Sequence, residues 1–474
     1  VACAKAPRLG SAPADQAVLA TTPALAHLAE QLPPSGPRTV EELVGSGRWS
    51  FKGPPDPSAW LESEVQGETP PIEHGVELSV LTYNTGLLDR SYLSGHVAMP
   101  EVAHRSKWLP EALLSSGQWD VLLLQEVWEW EQVERFAMAA DKYGYAWYAG
   151  TKKRHEQHGI LMLVKKQLIA ETGDQTEVQF DAQRKIEKWP GPNIKRGYLT
   201  WSFEHAPTGR RVRVASAHPQ AFPDFWQVRT LQARQLALDL AATDPEATVI
   251  LGIDLNAGSY YPEDELGLYK GKPVSGWWRN SLTYPLIRHY GGFTDAMGVR
   301  SRPGDVAAMH TLPPYSEQWL TVPLGGVCAA QPPVFTGTDC NPLYAANYIG
   351  EEYPARLDYV FTRAPADSLR VVEAGRVYDK PLALGGRQLM GSDHYAVAAR
   401  LQLALAPGVS PPVEAAPPAD TTTDPAPSSP ADAPPAEEAS PTEAAPAQEA
   451  NPTEAAPTEP PATDSPGTES APAE

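Results

Sequence analysis

Two short, nearly continuous apolar runs constrain this chain most. One is Val121-Leu-Leu-Leu124, followed by Gln125-Glu126; the other is Thr248-Val-Ile-Leu-Gly-Ile253, followed by Asp254. Neither reaches the roughly 10–12 residues of a buried helix. Neither alternates apolar with polar positions, so neither is a strand with one wet face. Both read as central strands that need a packed layer on each side, with a polar residue at the exit. A one-sided sheet or a helical bundle does not accommodate them.

The surrounding pattern supplies the other layers. Val76, Leu78, Val80 and Thr82 alternate as a strand does and end at Tyr83-Asn84. Further strands are predicted at 159–164, 199–203, 212–217, 357–362 and 396–405, and helices at 105–115, 130–140 and 226–242. Strands and helices in this order predict an α/β protein, a four-layered sandwich of two mixed β-sheets with outer helices. After Asp254 the pattern loosens for about a hundred residues, an insertion long enough to be functional rather than connective.

Composition divides the chain. Residues 407–474 hold 18 of the 50 prolines and 13 Asp or Glu, with no Lys, Arg or aromatic residue. Such a segment buries too little apolar surface to offset its ordering entropy, so a disordered acidic tail is expected there. Pro-Thr-Glu-Ala-Ala-Pro occurs at 441–446 and again at 452–457, too few copies and too polar for a solenoid. One folded domain is expected over 71–406, preceded by a tether over 1–70 with one short helix near 17–32. Of the chain's formal charge of −20 the tail carries −13, which leaves −7 on residues 1–406. A mildly acidic globule repels a nucleic-acid backbone at long range, so no specific nucleic-acid partner is expected.

The cysteines are Cys3, Cys328 and Cys340, with no Cys-x-x-Cys pair to suggest zinc or redox chemistry. Val1-Ala2-Cys3 resembles the end of a bacterial lipoprotein signal peptide, and Ala-, Pro- and Ser-rich sequence follows it. The expectation is an exported protein, either a membrane-anchored lipoprotein or extracellular. In that compartment Cys328 and Cys340 could pair. No run of 18 apolar residues occurs, so nothing in the chain reads as a membrane-spanning helix.

Polar residues of one chemical type cluster at strand ends: Asn84, Glu126, His218, Asp254 with Asn256, Asp358, and Asp393 with His394. Carboxylates, amides and imidazoles without thiols suit a hard cation, Mg²⁺ first, with Mn²⁺ or Ca²⁺ as alternatives. Taken singly the features are weak, since a lone Asp-x-Asn is usually a turn.

Together they resemble a known family. Leu81-Thr-Tyr-Asn84, Leu123-Leu-Gln-Glu126, Ala217-His218, Gly252-Ile-Asp-Leu-Asn256, Leu357-Asp-Tyr359 and Ser392-Asp-His394 stand in the order of the endonuclease/exonuclease/phosphatase superfamily. Tyr83-Asn-Thr-Gly-Leu-Leu88, Gln125-Glu-Val-Trp128 and Ser392-Asp-His-Tyr395 look most like its neutral sphingomyelinase branch. The resemblance implies Glu126 as the main Mg²⁺ ligand, with Asn84 beside it and Asp393 supporting the metal side. It implies His394 as general base on the attacking water, oriented by Asp358. His218 would hold a phosphate oxygen or protonate the leaving group, and Asp254 and Asn256 would position water or a second ion. Asp295 is also similar to a family position, though a helix N-cap explains it equally.

The implied activity is a phospholipase C-like phosphodiesterase acting at a phospholipid membrane surface, as a monomer. A nuclease on the same fold is the alternative. One departure bears on substrate: secreted bacterial sphingomyelinases carry an aromatic pair on a hairpin before the final Ser-Asp-His. Here residues 378–390 lack Trp and Phe, and Trp277-Trp278 is the candidate substitute, or else a pair of core tryptophans.

Overall fold

A computed structural model describes residues 71–89, 99–152, 158–183, 194–221, 225–242, 244–257, 266–269, 272–275, 282–297 and 356–410, with isolated positions at 32–42 and 343. Cys3, Cys328, Cys340, Trp277 and Trp278, and nearly all of the expected tether and tail, lie outside the described residues.

The elements follow in order as β1 (Val76–Asn84), α1 (Val102–Leu114), β2 (Val121–Gln125), α2 (Trp130–Tyr143), β3 (Tyr145–Tyr148), β4 (Ile160–Lys165), β5 (Ile169–Gln179), β6 (Gly197–His205) and β7 (Arg210–Ala217). Then come α3 (Trp226–Ala241), β8 (Thr248–Asp254), β9 (Leu266–Tyr269), β10 (Lys272–Ser275), α4 (Thr283–Gly291), β11 (Thr294–Asp295), β12 (Asp358–Arg363), β13 (Leu369–Val377), β14 (Leu382–Leu384), β15 (Arg387–Leu389) and β16 (Ala396–Leu403). Two six-stranded sheets form, in the orders β13-β16-β1-β2-β4-β3 and β11-β12-β8-β7-β6-β5. Each is mixed: β1 and β2 are parallel, as are β7 and β8, while the other pairs are antiparallel.

The sheets face one another across a core that includes Val80, Leu123 and Met162 from the first and Trp201, Val214 and Ile250 from the second. The outer face of the first sheet packs on α1 and α2, and that of the second on α3 and α4. This is the expected four-layered α/β sandwich. Both apolar runs are central strands, and every residue of β2 and β8 is buried. Gly252 lets the sheets approach: a Cβ there would lie 2.6 Å from Leu123 Cβ and 2.9 Å from Thr82 Cβ. A polar link crosses the same layer, where Gln125 Nε2 of the first sheet donates to Ser216 Oγ of the second at 3.0 Å.

Several elements depart from expectation. The alternation in β1 holds only over its first four residues, because from Val80 onward both faces are covered. The loosely patterned stretch after Asp254 contains α4 and the β9–β10 pair. Strands β3, β5 and β13 lie at sheet edges, where one side faces solvent and the apolar signal is thin.

Acid sensitivity is built into the β6–β7 turn. His205 is fully buried; its Nδ1 pairs with Thr208 Oγ1 at 2.8 Å, and its Nε2 has no partner among the described residues. Burial pushes its pKa down to about 4. Between the ordinary value of about 6.5 and that figure the unfolded chain binds a proton that the folded chain refuses. The contribution is therefore complete above the ordinary value and is lost as pH falls, by up to about 3 kcal/mol. Urea unfolding from pH 7 to pH 4 is expected to show a shallower loss of stability in His205→Asn; equal slopes in the two proteins would assign the sensitivity elsewhere.

Candidate active site

Sheet polarity gathers the site. Parallel pairing sets Asn84 of β1 beside Gln125 of β2, and Ala217 of β7 beside Ile253 of β8, so these four strands exit on one edge. Antiparallel β12 begins there, with Asp358 directly opposite Asp254. Antiparallel β16 also begins at that edge, pairing Val397 with Thr82, so Ser392-Asp393-His394 reaches it from the preceding loop. Asn84, Glu126, His218, Asp254, Asn256, Asp358, Asp393 and His394 thus come from six strand ends to one place.

The bonds between them form a chain. His394 Nδ1 lies 2.8 Å from Asp358 Oδ2, which turns its Nε2 toward Asn84, 3.5 Å from the amide nitrogen. Asn84 Nδ2 donates to Asp254 Oδ2 at 2.8 Å, and the same oxygen lies 3.2 Å from His218 Nε2. Asp254 Oδ1 accepts from the Asn256 main chain at 2.9 Å, and Asn256 Nδ2 donates to the Pro219 carbonyl at 3.2 Å. Asn256 therefore ties the β8 exit to the loop after His218. His394, Asp358, Asp254 and His218 are at most 4% exposed, whereas Glu126 keeps 17% exposure. Of the site's carboxylates and imidazoles, Glu126 is the group nearest solvent. It adopts φ 60, a left-handed backbone that a non-glycine residue rarely takes without surrounding constraint.

Electrostatics separates the groups. Burial pushes Glu126 up to about 7, helped by the charges of Asp393 and Asp254. Burial pulls His218 down to about 4, with Arg196 acting in the same direction, so the ring is neutral at pH 7. For His394 burial opposes the charge, but Asp358, Asp393 and Asp254 outweigh it and hold the ring well above its usual value. Asp254 also resists its burial: His218 and His394 keep it below the usual carboxylate range. The site carries more carboxylate charge than its own cations balance, and Glu126 bears the excess.

That excess is the test for a divalent cation, and the residues meet it. Glu126 is the accessible carboxylate and feels the charge of the buried Asp393, and these two carboxylates with the amide oxygen of Asn84 are hard donors of the kind a divalent cation takes. Asp254, Asp358 and His394 also offer one ligand-type atom each within 4.8 Å of one another. Asp358 is bonded to His394, and Asp254 to Asn84 and His218; an ion there would have to displace those bonds.

Several contributors carried no sequence signal as site residues. Arg105 of α1 is fully buried against Thr85, Gly86 and Gly391, beside Asn84 and the Ser392-Asp393-His394 loop. It falls on the core-facing stripe of its helix with Val102, Leu109 and Leu113, where a charged residue is the readable anomaly. Trp128 packs on Gly159, whose Cβ would lie 2.6 Å from the indole, and its ring lies 6.0 Å from that of His218. The guanidinium of Arg196 sits 5.4 Å from the centre of the same indole. Asp295 is not a helix N-cap: it is buried in β11, paired with Arg356 at 2.6 Å and accepting from Tyr284 at 3.0 Å. The stretch before Ser392 is a hairpin, β14–β15, turned at Gly385-Gly386 with both φ positive. Its turn lies against Trp108 of α1, and Arg387 is bonded to Glu101 at 2.9 Å, so it is docked rather than projecting.

A model of the endonuclease/exonuclease/phosphatase family matches residues 106–394, more than half of the chain. Solved structures similar to it include D. rerio TDP2 complexed with single strand DNA product, at 14% identity and TM-score 0.45, covering 69% of this chain and 98% of that one. A family protein from Bacteroides thetaiotaomicron shows 15% identity and TM-score 0.42, covering 70% and 99%. The human Nocturnin catalytic domain with bound sulfate anion shows 14% identity and TM-score 0.42, covering 71% and 99%. The chain has no match among curated protein sequences.

Proposed function

The chain belongs to the endonuclease/exonuclease/phosphatase family, whose members hydrolyse phosphoesters, and on that premise we propose that it is a Mg²⁺-dependent phosphodiesterase of phospholipid head-group esters, releasing phosphocholine from sphingomyelin. The observation that carries the hydrolytic reading is the buried Asp358–His394 pair, whose Nε2 faces the Asn84 amide within a group of carboxylates that Glu126 opens to solvent.

The residues divide the work. Asp358 fixes the ring and favours its protonated form, so His394 Nε2 can take the proton of a water attacking phosphorus. As that P–O bond forms, the P–O bond to the ceramide oxygen breaks; the leaving alkoxide takes a proton from solvent, and His394 afterwards returns the water's proton to solvent. Neutral His218, whose Nε2 faces Asp254 at 3.2 Å with Glu126 further off at 3.9 Å, suits a hydrogen-bond donor to a phosphoryl oxygen better than a leaving-group acid. Asn84 and Asp254 orient one another and border the space in which water and phosphate meet. When bound by Glu126 with Asn84 and Asp393, Mg²⁺ supplies polarisation of a phosphoryl oxygen and charge compensation.

The choice of lipid is supported by the net −7 on residues 1–406 and by the sphingomyelinase-like runs at Tyr83 and Ser392. Among the described residues the exposed large apolar side chains are Met138 and Val409, and no helix is long and apolar enough to cross a membrane. Engagement of a lipid surface by an exported monomer is assigned to Trp277-Trp278 and to a lipidated Cys3. The nuclease reading draws on the buried cation of Arg196 beside the site.

Purified protein is to be assayed on sphingomyelin and phosphatidylcholine in mixed micelles, on plasmid DNA and on a chromogenic phosphodiester, with and without EDTA. The expected result is EDTA-sensitive phosphocholine release, with plasmid nicking at least about tenfold slower, a margin of ~1.4 kcal/mol in transition-state stabilisation. Nicking that outpaces lipid hydrolysis at matched Mg²⁺ would favour the nuclease.

A further inference from the structure

Arg105 is a fully buried cation whose guanidinium bonds all end on main-chain carbonyl oxygens. Nη1 donates to Thr85 at 2.7 Å and to Gly391 at 2.9 Å, Nη2 to Gly86 at 2.5 Å, and Nε to Pro100 at 3.2 Å. Arg356, another deeply buried arginine, contacts a carboxylate directly, Asp295 at 2.6 Å. A buried guanidinium is costly to desolvate and normally keeps such a partner. Arg105 has none in contact among the described residues, and the charges that favour it include those of Asp393 and Glu126 in the site.

Its acceptors are equally specific. Thr85 and Gly86 follow Asn84 directly, and Gly391 precedes Ser392-Asp393-His394. Gly86 N donates to Asn84 Oδ1 at 3.0 Å, and a Cβ on Gly86 would lie 2.6 Å from Asp393 Oδ1. Thr85 donates to the Gln125 carbonyl through both its main chain, at 2.9 Å, and its hydroxyl, at 2.8 Å, which reaches the residue before Glu126. One planar fork therefore joins the loops that carry Asn84 and Asp393-His394, and Thr85 ties that fork to the strand end before Glu126.

We propose that Arg105 is a positioning residue of the active site: its fork clamps the β1 exit loop to the Ser392-Asp393-His394 loop, and its charge lets the metal-side carboxylates gather before an ion arrives. The functional consequence rests on the phosphodiesterase reading above; the clamp itself does not. Lysine preserves the charge but has three donors and no planar fork, so it cannot serve all four carbonyls.

The test compares the wild type with Arg105→Lys, Arg105→Met and Asp120→Asn. Asp120 bonds Ser79 and Lys165 at the opposite end of β1 and β2, so its substitution controls for general destabilisation. Amide hydrogen exchange of 85–87 and 391–394 should accelerate at least about tenfold in Arg105→Lys and remain at the wild-type rate in Asp120→Asn. Mn²⁺ binding followed by electron paramagnetic resonance should weaken by about tenfold or more in Arg105→Lys, with kcat falling more than KM rises. Arg105→Met, which loses charge as well as fork, should weaken Mn²⁺ further; if it does not fold, Arg105→Lys alone decides. Unchanged exchange in both loops overturns the clamp, and loosened loops with wild-type Mn²⁺ affinity and turnover overturn the positioning role. A wild type that binds Mn²⁺ but hydrolyses none of the phosphodiesters overturns the functional reading alone, and Arg105 is then judged on exchange and Mn²⁺ affinity.

Discussion

His394→Gln is expected to lower turnover by about 10²- to 10⁴-fold, the range associated with loss of a general base, while the protein stays folded. Glutamine keeps an amide within reach of Asp358, which matters because Asp358 is fully buried and His394 is 4% exposed. Alanine would strand a buried carboxylate and confuse loss of chemistry with loss of structure. The pH profile adds a second signature. Neighbouring carboxylates hold the His394 proton well above the usual range, so the basic form accumulates only as pH rises. Neutralising part of that carboxylate charge, as a bound cation does, brings the ring back toward its ordinary range. The acid limb of kcat/KM should therefore move to lower pH as Mg²⁺ is raised, and it should vanish in His394→Gln. A variant within a few-fold of wild type, with the same limb, would transfer the base role to another residue.

Glu126→Gln is expected to act in opposite directions on binding and on stability. Metal affinity should fall by at least about tenfold, with turnover at limiting Mg²⁺ falling in proportion, because the accessible anionic ligand is gone. The metal-free protein, by contrast, should become more stable. The carboxyl is raised from an ordinary 4.5 to about 7, so ionising it opposes folding as pH rises through that interval. The neutral amide removes a penalty of at most about 3 kcal/mol above pH 7. Mg²⁺ affinity of the wild type should rise with pH up to about 7 and level off beyond it, as binding ceases to displace a proton, and the variant should lack that inflection. Calorimetric titration with Mg²⁺ and thermal melts in EDTA, each at pH 5.5 and 7.5, read both effects. Wild-type affinity without a gain in stability would remove Glu126 from the cation site.

Much of the architecture was legible in the chain itself. Val121–Gln125 and Thr248–Asp254 announce buried central strands because a strand covered on both faces must be apolar throughout, a condition local to the strand. Polar residues at their exits were legible for the same reason: Glu126 and Asp254 interrupt runs that otherwise exclude charge. Edge strands were not. β5 is exposed along most of its length and pairs on one side only, so its sequence carries no burial pattern and its register shifts twice. Helix α4 was obscured because tyrosine, proline and glycine dominate it and its burial comes from packing against α3.

The sequence by itself determined which residues stand at strand ends, and so which functional groups this edge of the sandwich presents. Only the tertiary structure decided what each group does there. Asp358 and His394, or Asn84 and Asp254, meet because parallel β1–β2 and β7–β8 share an exit edge with the starts of β12 and β16, a relation between segments up to 310 residues apart. Once they meet, burial and mutual charge set His218 neutral, keep the proton on His394 and leave Glu126 poised near neutrality. Those outcomes depend on distances of a few ångströms in a poorly solvating interior, which local sequence does not encode. The role of Arg105 has the same origin: an arginine on the apolar stripe of a helix is visible in the chain, but the loops it joins are not.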